Sequence, residues 1–465
     1  MKRTISLALM LSMAANMLTP LPLSAAASGV KKQSGGVDLF ALKDTDQEGA
    51  ITMEEAVEIA MKDNSTIQIA AKNAEIYAQQ VRQYWSSVYP QITASGSYTR
   101  ALRAQEIITS MGSFKMSLDN AASASVEGSL VLWKGGAVKA GIKAAQYASQ
   151  SGYLQLEETR NNIKDLVTTL CFGIILSHAL IQVQRENLNI AKDHLKEITS
   201  KYKQGLASDL DVLNQKVKVS NSEPPLIEAE NSYELGLLTL RRVLNKDPQD
   251  PLSLTWQLKD ILKVEIPSLE ELYQMAKENR PELVISDLNV QIADENIKIA
   301  KADHYGSIAA FANVSYSGTS DHIMIPVESD NSSWGSNVGL RVSIPLFEGF
   351  RVDSLVKQRK LAYDQAVLQA RDTERDIRIE VKRCWLNLNE AKNRIMATKG
   401  TIAEARKNLE RTNIRYRNGL ASRLDLDDSA LLLHDAELQY VQAVHDAFTA
   451  LSNLNYAVGK EVAKI

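Results

Sequence analysis

Cysteine is nearly missing from this chain: Cys171 and Cys384 are the only two in 465 residues. Two thiols cannot form the multi-bridge framework on which small exported domains depend, so disulfides do not hold this fold together. Proline is scarce at 11 residues, and none falls between Gly135 and Gly205 or between Gly349 and Gly419. Such long proline-free stretches leave a helix free to run. There is no surplus of basic charge, with 53 Lys and Arg against 56 Asp and Glu, which argues against nucleic acid as a partner. Beyond the N-terminus no uninterrupted apolar run reaches the roughly 18 residues of a membrane helix, so membrane entry would fall to β-strands. The six His residues show no zinc-ligand spacing. No nucleophile elbow, phosphate loop or paired-carboxylate motif stands in a convincing context, so neither an enzyme nor a cofactor is expected.

The N-terminus carries an address. Lys2 and Arg3 precede the apolar stretch Ile5 to Leu18, and Ser24-Ala25-Ala26-Ala27 offers small residues for cleavage before Ser28. That is the pattern of a secretory signal peptide over residues 1–27, followed by a linker over 28–50. Its removal takes two basic and no acidic residues, leaving 51 against 56 and a net charge of −5.

The rest of the chain is written twice. Tyr202-Lys-Gln-Gly205-Leu206-Ala207-Ser208-Asp209-Leu210-Asp211 returns 214 residues later as Tyr416-Arg-Asn-Gly419-Leu420-Ala421-Ser422-Arg423-Leu424-Asp425. Leu132-Trp133-Lys134-Gly135 returns at the same offset as Leu346-Phe347-Glu348-Gly349, and Met53-Glu54-Glu55-Ala56 is echoed by Leu269-Glu270-Glu271-Leu272. Three landmarks in one order define an internal duplication. The first repeat covers 51–245 and the second 268–460, joined by a segment over 246–267.

Each repeat contains a sustained heptad. Val167, Ile174, Ile181, Leu188, Leu195 and Tyr202 are matched by Val381, Leu388, Ile395, Ile402, Leu409 and Tyr416. A strict seven-residue period drifts on a straight helix, so these helices are expected to coil around neighbours. Gly205 and Gly419 can take the left-handed conformation that ends a helix. Asp209 or Asp211, and Asp425, are expected to cap the returning helix. The spacing predicts antiparallel hairpins over about 136–244 and 350–459, with a kink or break at Pro224-Pro225.

Before each hairpin lie two segments of period two. Ile92, Ala94, Gly96 and Tyr98 alternate with Thr and Ser, and Ala124, Val126, Gly128 and Leu130 alternate with Ser and Glu. In the second repeat, Ile308 to Tyr316 and Val338 to Ile344 do the same. These predict strands at about 89–100, 122–133, 307–318 and 335–346. One apolar and one polar face suits a membrane barrel strand, and equally a half-buried soluble sheet. Four strands cannot close a barrel in lipid, so chains would have to pool them. Two chains would give a side-chain-filled barrel; three would give twelve strands with room for a pore.

At these residues the chain resembles the outer-membrane efflux protein family, the TolC-like channels. The likeness rests on Ile51-Thr-Met-Glu-Glu-Ala56 with Ala60 and Asn64, Tyr89-Pro90-Gln91-Ile92, Ser343-Ile-Pro345-Leu-Phe-Glu-Gly349, and the two Tyr-x-x-Gly turns. The resemblance implies a mainly helical chain with membrane β-structure, a homotrimer with a 12-stranded β-barrel in outer-membrane lipid, and an α-helical tunnel in the periplasm. It implies a passive conduit for efflux or type I secretion, opened by a periplasmic adaptor and an inner-membrane pump of RND or ABC type. It further implies a periplasmic gate at Asp211, Tyr416, Asp425 and Asp428. The turns Gly205-Leu206 and Gly419-Leu420 expose leucine at a tip and read as adaptor contacts. Many relatives carry an Arg two positions after the second-repeat glycine; here that position is Ala421, and Arg423 is out of register. The rival reading is a periplasmic adaptor, which would carry one hairpin flanked by small β-domains.

Overall fold

The computed structural model describes residues 49–102, 106–110, 112–115, 119–256, 260–320 and 332–462. The expected signal peptide and residues 28–48 of the linker lie outside the described residues. The chain runs β1 (Ala50–Ile51), α1 (Met53–Asp63), α2 (Ser65–Trp85), β2 (Gln91–Arg100), β3 (Glu106–Thr109), β4 (Gly112–Lys115), β5 (Asn120–Trp133), α3 (Ala137–Lys203) and α4 (Asp209–Val243). It continues β6 (Ser253–Leu254), α5 (Leu269–Asn279), α6 (Pro281–Ala302), β7 (Ser307–Ser320), β8 (Ser332–Ser343), α7 (Arg351–Arg417) and α8 (Arg423–Val458).

The duplication survives as geometry. Both α3 and α7 are 67 residues long, roughly 100 Å at 1.5 Å per residue. Each returns through a glycine turn into a helix of 35 or 36 residues. The heptad positions Val167, Ile174, Ile181 and Leu188, and Val381, Leu388 and Ile395, are buried. Nearer the tips Leu195, Ile402 and Leu409 are only half-buried and Tyr202 is exposed, because within one chain the seam runs out of partners. Near the strands α3 packs between α2 and α6, with α7 beyond α6; towards the tips it packs between α4 and α8, with α7 beyond α8.

The chain's centre of packing lies midway along the hairpins. Phe172 of α3 and Phe448 of α8 meet at 5.3 Å, and Trp256 from the linking segment closes edge-on at 5.2 Å from Phe448. Around this trio gather Ala56 and Ala60 of α1, Leu272 and Ala276 of α5, and Leu252 and Leu254 beside β6. There β1 pairs in parallel with β6, Ala50 opposite Ser253. Two buried polar residues pin the short helices onto the ends of the hairpins. Asn64 donates to Val243 O at 2.7 Å; at the matching place Arg280 donates to Tyr456 O at 3.2 Å and pairs with Glu282 and Glu380.

The strands form one antiparallel sheet in the order β2-β5-β7-β8, while β3 and β4 make a separate small hairpin. Its register sorts the side chains onto two faces. Across one face run Ile92, Gly128, Ala312 and Val338, then Ala94, Val126, Val314 and Ser336, then Gly96, Ala124, Tyr316 and Trp334. Across the other run serines, joined in pairs by hydroxyl bonds: Ser95 with Ser125 at 2.8 Å, Ser97 with Ser123 at 2.9 Å, Ser317 with Ser333 at 2.9 Å. Both outer strands, β2 and β8, have an unpaired edge within the chain. Apolar side chains are also left bare along α7, where Leu361 is 69% and Ile379 64% exposed, and along α2, where Ile69 is 62% exposed.

Three expectations need correction. The fourth strand lies at 332–343, three residues earlier than expected, because Pro345 has no N–H to donate to a ladder. The α4 helix runs unbroken through Pro224 and Pro225. The lost donors would have served the carbonyls of Ser220 and Asn221, and both prolines lie towards the water side of the hairpin, where solvent can satisfy those carbonyls. Finally, α3 is long and apolar enough by composition to cross a membrane, with a window of mean hydropathy 1.9. Its apolar stretch is interrupted by polar residues, and half of that window is buried inside the protein.

The aromatic trio predicts a stability effect. Phe448→Ala opens a cavity between Phe172 and Trp256 and is expected to cost about 3–5 kcal/mol, measured by denaturant unfolding in detergent. A loss below about 1 kcal/mol would show that the trio is not the centre of packing.

Candidate functional site

The two hairpin tips carry every residue singled out from the sequence. Each long helix ends in a tight left-handed turn, Gly205 at φ 74° and Gly419 at φ 72°. The Leu206 N–H donates to Lys201 O at 2.9 Å and the Leu420 N–H to Arg415 O at 2.8 Å, closing the free carbonyls of the last turn. Only glycine takes this conformation without strain. Beyond the turn Leu206 is 72% and Leu420 68% exposed, and one helical turn later Leu210 and Leu424 are equally bare. Each tip therefore presents a pair of leucines to solvent.

The carboxylates divide into two kinds. The returning helices are capped by Ser208 and Ser422, not by aspartate; Asp211 and Asp425 sit three residues on and complete the capping boxes. Asp425 Oδ2 accepts from the Ser422 amide and hydroxyl, both at 2.8 Å, and Asp211 Oδ2 accepts from Ser208 at 3.0 and 2.7 Å. For Asp211 the serine hydroxyl bond and then the amide bond hold the carboxyl below its ordinary range; for Asp425 the amide bond leads. Both are thus anionic above the ordinary carboxylate pKa. Asp428 has no such duty and lies exposed on α8. Tyr416 is engaged by α3: the Lys201 ammonium stands 4.1 Å above its ring while pairing with Glu197 at 3.0 Å.

Deeper in the tip lies a cluster that sequence reading missed. Asp427 of α8 is held by Lys218 of α4 and by Arg423 one turn earlier at 3.5 Å. Arg423 also donates to Gln215 of α4. Gln215 is almost wholly buried and donates to Ala191 O of α3 at 2.8 Å. Three helices from both repeats are thereby clasped. The duplication is broken here, since Arg423 and Asp427 answer to Asp209 and Leu213 in the first repeat. The Arg423–Asp427 spacing of four was visible; that Lys218 and Gln215 complete it needed the fold. His194 borders the cluster with Glu197, Tyr416 and Asp427. Burial, outweighing Asp427 and Glu197 and aided by Arg423 and Lys218, holds its imidazole below the ordinary value.

Paired long hairpins rooted in a half-open, two-faced sheet define the TolC-like channel fold, and two such hairpins with their strands leave no place for the one-hairpin adaptor plan. The chain belongs to the outer membrane efflux protein family, whose profile matches residues 56–246 and 272–460. The outer membrane protein TolC of Salmonella enteritidis is 25% identical over 272 residues, 57% of this chain and 54% of that protein. The match thus spans about half the length of the Salmonella enteritidis and Escherichia coli TolC proteins. The outer membrane efflux protein BepC of Brucella suis is 21% identical over 417 residues, 89% of this chain and 86% of BepC. Among solved structures, the Campylobacter jejuni CmeC outer membrane channel superposes with a TM-score of 0.74 at 16% identity, covering 96% of this chain and 94% of that one. VceC from Vibrio cholerae gives 0.72 at 17% identity, covering 88% and 97%. These are channel proteins of the outer membrane, and this chain shares their fold.

The clasp predicts a pH dependence. A depressed imidazole pKa means the unfolded tip takes up a proton that the folded tip refuses, so tip stability falls as pH drops below about 6.5. Protection of the amides around residues 190–200, taken relative to the intrinsic exchange rate at each pH, is expected to fall between pH 7 and pH 5.5, and His194→Asn to flatten that fall. An equal fall in the variant would remove His194 from the account.

Proposed function

We propose that three copies of this chain form a passive outer-membrane conduit, with the sheets closed into a 12-stranded barrel and the hairpins forming a periplasmic tunnel. The observation that carries this reading is the sheet itself. Its edges are both unpaired, one face is apolar, and the opposite face is lined by hydroxyls. In hydrocarbon an unpaired strand edge costs several kcal/mol for each unsatisfied group. Closure puts the apolar face in lipid and the serines on water. The bare leucines and isoleucines of α7 and α2 then find cover on neighbouring copies, each burial worth about 1.5–3 kcal/mol.

The tips serve as gate and dock in this reading. Asp211, Asp425 and Asp428 become acidic rings at the entrance, which favour cations. Tyr416, with Lys201, and the Arg423–Asp427–Lys218 clasp hold the hairpins inward. The leucine pairs Leu206 with Leu210 and Leu420 with Leu424, together with the turn glycines Gly205 and Gly419, form the seat of a periplasmic adaptor. Through the adaptor an inner-membrane pump of RND or ABC type delivers efflux or type I secretion cargo.

Conductance in a planar bilayer tests the conduit. Discrete cation-favouring channels are expected, opening more often in Asp427→Asn and losing cation preference when Asp211→Asn, Asp425→Asn and Asp428→Asn are combined. Absence of conductance, or anion preference in the native protein, would contradict the reading. Export in cells tests the dock: Leu206→Glu with Leu420→Glu is expected to abolish it while oligomers still form, and unchanged export would remove the leucines from the seat.

A further inference from the structure

The hydroxyl face of the sheet carries one feature that its serines do not explain. Apart from Gln91, Glu127 and Val131, the odd-numbered residues that line this face of the described four-stranded sheet are Ser, Thr, Asn, Gly or Ala, yet Phe311 on β7 and Arg341 on β8 point the same way. Phe311 lies opposite Gly339, and a Cβ on that glycine would stand 2.9 Å from the ring, so the ring lies directly over its backbone. The Arg341 guanidinium stands 5.1 Å from the centroid of the same ring. Gly339, Phe311 and Arg341 form a stacked platform. Glycine makes room, the ring fills it, and the ring braces an otherwise flexible arginine.

The other charge on this face within the described strands is Glu127. It is level with Asn313 and Asn337, four residues along β8 from Arg341. That is roughly 13 Å along a strand, beyond the Debye length of about 10 Å at 0.1 M salt. Glu127 therefore does not neutralise Arg341 in solution at ordinary ionic strength. The platform lies at the helix-proximal end of the sheet, where β7 and β8 enter their register, Arg341 opposite Ala309.

Resting on the proposed barrel, we infer that Phe311 and Arg341 form a ring of three braced guanidiniums in the lumen that favours anions, in series with the acidic tips. Its ligands are small anions and cargo bearing carboxylate, phosphate or sulfate groups, which a planar guanidinium can hold through paired hydrogen bonds. A lumen of serines alone would discriminate weakly by charge. Arg341 makes the barrel's lower mouth a second, oppositely signed filter. The chain would then pass zwitterionic and anionic cargo that a conduit with acidic rings alone would repel.

The test is the reversal potential in a KCl gradient, with chloride as the probe, in a background where Asp211→Asn, Asp425→Asn and Asp428→Asn have silenced the three acidic rings of the tips. That background is expected to favour chloride, and adding Arg341→Gln to lower the chloride-to-potassium permeability ratio by about twofold at 0.1 M, and more at 0.01 M where screening is weaker. Arg341→Lys keeps the charge and is expected to keep the preference. An unchanged ratio on Arg341→Gln, in protein that still runs as the native oligomer, would overturn the filter and leave the conduit standing. Absence of conductance from the native protein would overturn the conduit and the filter together.

Discussion

Everything in this chain answers to the backbone of four strands. Each strand residue brings an N–H and a C=O, and in hydrocarbon neither can turn to water. The order β2-β5-β7-β8 satisfies three ladders and leaves two edges. Those edges have the same consequence as the bare faces of α2 and α7: each is a surface that a neighbouring copy could complete. The heptad seams of α3 and α7 bury their apolar positions against neighbouring helices over their inner halves, as a seven-residue period requires.

Duplication supplies the wall cheaply, and departures from it mark where the two halves do different work. At the centre, Asn64 and Arg280 perform one task with different chemistry, each pinning a short-helix junction to the end of a hairpin. At the tips the halves diverge. Ser208–Asp211 and Ser422–Asp425 make the same capping box, yet only the second repeat has Arg423 and Asp427 to reach across to α4. A polar clasp parts at lower cost than an apolar one. Its desolvation is partial and its partners can exchange for water, whereas the Phe172–Trp256–Phe448 contacts give up apolar burial if they part.

Most of the architecture was legible because it is periodic. The heptad from Val167 to Leu188 and its copy from Val381 to Ile395 are the buried faces of α3 and α7, and the alternation around Val126 and Val314 is the two-faced sheet. Local chemistry was read less well. Serine and aspartate are both good caps, and the S-x-x-D spacing was itself the sign that serine leads and Asp211 or Asp425 follows. The prolines of α4 were expected to kink or break it; it is not broken, and Ala229, Leu237 and Leu240 beyond them are buried. Of the clasp only the Arg423–Asp427 spacing was legible. Gln215 and Lys218 of α4 meet these α8 residues from about two hundred residues away, Arg423 and Gln215 being 208 apart, and no local pattern records that meeting. The Phe311–Arg341 platform was hidden for the same reason, since it depends on which residue faces Gly339 across the ladder.

The central claim is that β2 of one copy pairs with β8 of the next, and cross-linking tests it most directly. Cysteines scanned along Ser95 and Ser97 of β2 and along Ser333 and Asn337 of β8 place pairs on the lumen face of the seam; the native Cys171 and Cys384 are buried. Oxidation in membranes is expected to give a covalent ladder that ends at three chains for the pairs in register. A ladder ending at two, one that never closes, or none in any register would contradict the account.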